Sequence, residues 1–303
     1  MTERPPRHWP PAPWQRDFLQ RHQLPTAYLE GASRWFDPLA LRLRTAAAVT
    51  AGPLLVGING CQGSGKSTLC DYVATRLGAL HACNTVVLSL DDFYLSREER
   101  RHLAATVHPL FATRGVPGTH DMSLLTKTLD ALSGANAGDS VEIPRFDKAA
   151  DDRRPATAWD RVTGPVDIIL LEGWCLGARP EASLEAPVNA LEAEEDADGC
   201  WRQSVNEALK SQFVPLYARV GVWVMLRAPA FDAVYQWRLE QEHKLARTAS
   251  GESVMSDTEV ARFIQFYQRL TCHCLATLPR HMDVTYNLDN RRDIDSATGL
   301  GGA

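Results

Sequence analysis

From Pro53 onward, short apolar runs alternate with longer stretches that carry apolar residues at helical spacing. The runs predict strands at about 53–58, 84–90, 166–172, 220–226 and 282–288. Three segments, 85–88, 166–171 and 220–226, are almost continuously apolar, which is how a parallel strand covered on both faces reads. Strands alternating with helices in this way imply a doubly wound α/β fold, a parallel sheet with helices on both sides. Upstream, a proline-rich start leads into two expected helices at about 14–22 and 32–48. The second carries Trp35, Leu39, Leu41 and Leu43 in an imperfect amphipathic pattern. The predicted organisation is an N-terminal helical extension over 1–50, a core domain over 51–290, and a flexible tail over 291–303. Two helix starts carry capping boxes, Ser96 with Glu99 and Ser256 with Glu259. The acidic run 192–198, between Leu184 and Gly199, is expected to be an exposed loop.

The end of the first strand carries the most informative chemistry. Gly60-Cys61-Gln62-Gly63-Ser64-Gly65-Lys66-Ser67 satisfies the phosphate-binding pattern G-x-x-x-x-G-K-[ST] at every position. An apolar run precedes it. A helical stretch from Thr68 follows, with Leu69, Val73 and Leu77 one turn apart. Glycines let successive N–H groups point at phosphate oxygens, and the helix N-terminus favours the negative charge. The expected nucleotide-binding set is Gly60, Cys61, Gln62, Gly63, Ser64, Gly65, Lys66, Ser67 and Thr68. Lys66 is expected at the β- and γ-phosphates and the Ser67 hydroxyl at magnesium.

Composition narrows the class. The chain has 303 residues, is 45% hydrophobic and carries a net charge of −5, with its basic residues scattered. No basic nucleic-acid face is expected. The pairs Arg100-Arg101 and Arg291-Arg292 are expected on solvated surface. Seven cysteines show no paired CxxC or zinc spacing, and Cys272-His273-Cys274 is expected to pack within a helix. No run reaches the roughly 20 apolar residues that span a bilayer, and Met1 to Pro6 lack a signal peptide's apolar core. The expectation is a reduced, soluble, cytoplasmic protein with neither membrane nor nucleic-acid partner. Its oligomeric state is not readable from the chain.

A phosphate loop is shared by kinases, switches and motors, so three further segments matter. Asp91 and Asp92 end the second strand, where ligands bind in open α/β sheets. Asp91 there is either a general base for an attacking hydroxyl or a turn residue. Glu172 closes the apolar run 168–171, as a second magnesium ligand or as a cap. Arg114, His120, Arg145 and Lys148 lie in two turn-rich segments and suit an anionic or hydroxylated small molecule; ordinary surface turns are the other reading. A guanine-reading N-K-x-D motif is missing from the sequence.

Taken together, GINGCQGSGKST (57–68), LSLDDFYL (88–95), TRGVPGTHD (113–121), PRFDK (144–148) and LLEGW (170–174) resemble the D-glycerate 3-kinase family. That family is related to phosphoribulokinase, uridine kinase and pantothenate kinase. The resemblance covers about residues 10–290. It implies a phosphate-loop kinase fold and an ATP- and magnesium-dependent transfer to a hydroxyl, with D-glycerate as the acceptor. Other acceptors stay open: a nucleoside, a pantothenate-like molecule or another hydroxy acid. So does a nucleotide-hydrolysing switch. Asp91 matches the strand-end base of uridine kinases, with Asp92 as the alternative. The resemblance also implies a lid carrying arginines, expected over about 227–255. Arg238 is its first cation and Arg247 stands behind it, a solvated helix face being the other reading.

Overall fold

A computed structural model describes residues 10–248 and 255–300, with backbone alone at 244–248. The chain runs α1 (Pro13–His22), α2 (Tyr28–Ala47), β1 (Leu54–Gly60), α3 (Lys66–His81), β2 (Thr85–Ser89), α4 (Arg97–Thr106) and α5 (Met122–Gly134). Four short strands follow: β3 (Ser140–Ile143), β4 (Phe146–Asp147), β5 (Asp152–Arg153) and β6 (Asp160–Thr163). The rest is β7 (Ile168–Gly173), α6 (Ala190–Glu195), α7 (Cys200–Ala208), α8 (Val214–Tyr217), β8 (Val222–Arg227), α9 (Phe231–Thr248), α10 (Asp257–Thr277), β9 (Val284–Leu288) and β10 (Ile294–Thr298).

The main sheet has the order β10-β9-β8-β1-β7-β2. Every neighbouring pair is parallel except β9 with β10. Strands β1 and β7 are buried along their whole length, as the unbroken apolar runs require. From β1 the chain crosses through α3 to β2, whereas β7 connects past β1 to β8. The connections thus diverge around β1 and β7, and their C-terminal ends open onto the crevice where such sheets bind ligands. Both capping boxes form, with the Ser96 and Ser256 side chains accepting from the Glu99 and Glu259 amides. Among the described residues no helix is long and apolar enough to cross a membrane.

Three expectations are corrected. The tail expected from residue 291 is ordered through Thr298, because β10 adds an antiparallel strand to β9. The acidic run is exposed only in part and is not all loop: α6 takes up its first half, and Glu192 and Asp196 are buried, held by Arg269 and Arg202, while Glu194, Glu195 and Asp198 stay exposed. Asp196 also caps α7 through the Trp201 and Arg202 amides. Arg100 is buried rather than solvated and donates to the carbonyls of Leu95, Ala112 and Asp151. Arg292 pairs with Glu240 and lies over the Trp237 ring.

Candidate active site

Residues 61–65 turn the chain from β1 into α3, and Gly63 and Gly65 adopt φ of +77° and +91°. These are left-handed values that glycine tolerates and other residues resist. A side chain at position 63 would also meet Trp237 Cβ at 2.9 Å. Lys66 folds back over the loop and donates to the Cys61 carbonyl at 3.3 Å. Its ammonium lies 3.8 Å from Glu172 Oε2.

The sheet register builds the corner next to it. Glu172 on β7 stands opposite Ser89 on β2 and Ile58 on β1. Its Oε1 accepts from the Ser67 hydroxyl at 3.0 Å and the Ser89 hydroxyl at 2.9 Å. A buried carboxylate and two hydroxyls beside a phosphate loop are hard oxygen donors, the ligand type magnesium takes. The donor set therefore fits that ion.

Beyond β2 a 3-10 turn, Leu90–Phe93, presents the two aspartates differently. Asp91 Oδ1 accepts from the Tyr94 hydroxyl at 2.8 Å and Oδ2 from Lys148 Nζ at 2.6 Å. Burial alone would raise its pKa, but Lys148, the Tyr94 hydroxyl and Lys66 outweigh it and hold the carboxyl at about 2. Asp92 instead takes the Arg145 guanidinium at 2.6 Å and the Phe146 amide at 3.1 Å. It anchors the hairpin formed by β4 and β5.

One cleft brings together Lys66, Ser67, Asp91, Arg114, Lys148 and Arg238. Glu172 and Arg145 line it as well. Arg145 is already held by Asp92 and by Asp160 at 2.8 Å, and Arg114 pairs with Asp151. Arg238 pairs with Glu242 and lies 5.5 Å from the Phe263 ring centroid. The Arg247 side chain and residues 249–254 of the expected lid lie outside the described residues.

His120 does not join this cleft. It is buried behind Tyr94, with its ring centroid 4.6 Å from the Tyr94 ring and 5.6 Å from that of Phe213. Burial lowers its pKa to about 4, against the pull of Asp91, so the ring is neutral near pH 7 and adds no cation.

Sequence reasoning missed the supports. Trp174 Nε1 donates to the Gly115 carbonyl at 2.9 Å, and the Tyr267 hydroxyl donates to the Arg114 carbonyl at 3.2 Å. The two rings meet edge to face at 4.9 Å. Trp174 and Tyr94 lie inside segments already singled out, so they were within reach of the sequence. Tyr267 sits on α10, 153 residues from Arg114, and no local pattern marks it.

No protein-family model matches the chain. The uncharacterized kinase mug58 of Schizosaccharomyces pombe is 35% identical over 237 residues, which are 75% of this chain and 82% of that protein. The chloroplastic D-glycerate 3-kinase of Arabidopsis thaliana is 32% identical over 222 residues, 71% of this chain but 46% of the plant protein. This chain thus matches less than half the length of that relative. The solved D-glycerate 3-kinase of Cryptococcus neoformans superposes with a TM-score of 0.69 at 24% identity, over 86% of this chain and 98% of its own, which speaks to the fold. With that fold, that cleft and these relatives, the chain belongs to the D-glycerate 3-kinase family of ATP-dependent phosphate-loop kinases.

Proposed function

We propose that this kinase transfers the γ-phosphoryl group of ATP to the 3-hydroxyl of D-glycerate. The observation that carries the reading is one cleft holding a phosphate loop, a strand-end carboxylate and the cations Arg114 and Lys148. The loop amides and Lys66 bind the β- and γ-phosphates and stabilise the charge that develops there. Ser67 and Glu172 would hold magnesium, which would supply positive charge against the phosphates. Arg238 reaches the phosphates from α9. Arg114 and Lys148 grip the acceptor carboxylate, and Arg145 frames the same wall. His120 is left out of that grip, since it lies buried behind Tyr94.

The acceptor oxygen forms a bond to the γ-phosphorus while the bond from that phosphorus to the bridging oxygen of ADP breaks. The hydroxyl proton goes to Asp91. Asp91 is the better base of the two because Asp92 is committed to Arg145 and the Phe146 amide. An anionic acceptor suits the two cations better than a neutral nucleoside does. ADP release measured with D-glycerate, L-glycerate, uridine and pantothenate tests the reading. D-glycerate should give the highest rate. A nucleoside that turns over while D-glycerate stays at background would overturn the acceptor and leave the kinase standing.

A further inference from the structure

We propose that Lys148 determines acceptor specificity by masking Asp91: the acceptor must carry an anion that draws the lysine away before its hydroxyl can be activated. The inference rests on the reading of Asp91 as the base. A carboxylate that takes a proton needs a lone pair turned to the hydroxyl and no cation seated against it, and each oxygen of Asp91 already holds a donor, Tyr94 on Oδ1 and the Lys148 ammonium on Oδ2. Only one of these partners is free to leave. Tyr94 is 4% exposed and wedged between His120 and Phe146. The Lys148 side chain is 62% exposed, on the turn between β4 and β5.

The hairpin does not depend on that lysine. Asp147 shapes its turn by accepting from the Ala149 and Ala150 amides. Asp92 holds the Phe146 amide, and Arg153 bridges to the Tyr94 carbonyl and Asp121. Lys148 can therefore swing off Asp91 while its backbone stays in place. Arg114 lines the same cleft, pairs with Asp151 and donates from an Nη to the Lys148 carbonyl at 3.4 Å, which ties its guanidinium to the turn that carries the lysine. An acceptor carboxylate gripped by Arg114 would sit in the cleft that the lysine also lines. Exchanging Asp91 for that carboxylate frees the base beside the hydroxyl to be activated. Water brings no such anion, so ATP hydrolysis stays suppressed while the cleft lacks acceptor.

The test compares ADP release by wild type, Lys148→Ala and the double variant Asp91→Asn/Lys148→Ala, without acceptor, with D-glycerate and with glycerol. Glycerol keeps the hydroxyls and lacks the anion. In Lys148→Ala the acceptor-free rate should rise roughly 10- to 100-fold, up to the lower end of what a positioned base contributes. The preference for D-glycerate over glycerol should shrink by a similar factor. The double variant should lose the rise. An unchanged acceptor-free rate in Lys148→Ala, or a rise that survives in the double variant, overturns the mask. Lys148→Met, which keeps the aliphatic stem, should behave as Lys148→Ala does, and thermal melts of each variant report folding. Should wild type ignore D-glycerate and use another acceptor, the acceptor assignment falls. The acceptor-free comparison still decides the mask in that case.

Discussion

Asp91 and Asp92 are neighbours with different work. The double-aspartate motif marks a strand end and no more. The division between them comes from Tyr94, Lys148 and Arg145, two of which lie more than fifty residues away. Asp91→Asn should cut turnover by roughly 100- to 10,000-fold, the span of positioned proton transfer, with ATP affinity held. Asp92→Asn should mainly raise KM for the acceptor, by loosening the hairpin. Turnover and nucleotide binding measured together decide it, and a dead Asp92→Asn beside an active Asp91→Asn reverses the assignment. His120 gives a pH prediction. Its folded pKa, about 4, lies below the ordinary imidazole value of about 6.5. Unfolded chains therefore take up a proton that the folded protein refuses, and stability falls as pH drops from about 6.5 toward 4. Urea midpoints across that range should decline less steeply in His120→Gln. A parallel decline in both proteins would place the effect elsewhere. In sequence His120 sits among Gly, Pro and Thr and looks like a surface turn. Its burial is set by Tyr94 and Phe213, which the turn composition does not reveal.

At the scale of elements, local rules were legible and pairings across the chain were not. The phosphate loop, the strand runs and both capping boxes are short-range patterns, readable within a few residues. Strand β10 escaped because five residues between turns gain their order from β9. The burial of Glu192 within the acidic run escaped because its partner, Arg269, lies 77 residues away. The segment carrying Arg114 shows how such supports act. Gly115 adopts φ of +137°, and a side chain there would come within 2.4 Å of the Tyr267 hydroxyl. Gly115→Ala therefore forces both an unfavourable backbone conformation and a displaced Tyr267. The expected destabilisation is about 1–3 kcal/mol, with KM for the acceptor raised and KM for ATP nearly unchanged. Denaturant unfolding and the two KM values check this together. If the variant is destabilised and both KM values hold, the clamp sets stability and does not position Arg114.

For the whole molecule, the N-terminal extension and the catalytic end are joined through α3. That helix begins with Lys66 and Ser67 in the cleft, and its middle is gripped by α1 and α2. Phe18, Phe36 and Trp14 all meet the Tyr72 ring edge-on, at 5.3, 5.8 and 5.6 Å. Asp37 accepts from the Tyr72 hydroxyl and binds Arg76, while Arg21 and His22 converge on Asp71. The amphipathic pattern showed that these helices pack on something. It could not show that their partner is the helix that starts at the phosphate loop. Phe18 has no exposed surface, so Phe18→Ala leaves a cavity between α1 and α3. A substitution of that kind costs about 3–5 kcal/mol, and the melting temperature should drop accordingly. Phe18 meets Tyr72, more than a full turn beyond Lys66, and the loop's own geometry is set by its glycines. Below the melting range, the KM for ATP and the turnover should therefore match wild type. The outcome separates two roles for the extension. A lower melting temperature with unchanged kinetics makes it a brace for the core. A raised KM for ATP well below the melting range would mean that the phosphate loop depends on how α3 is held from behind.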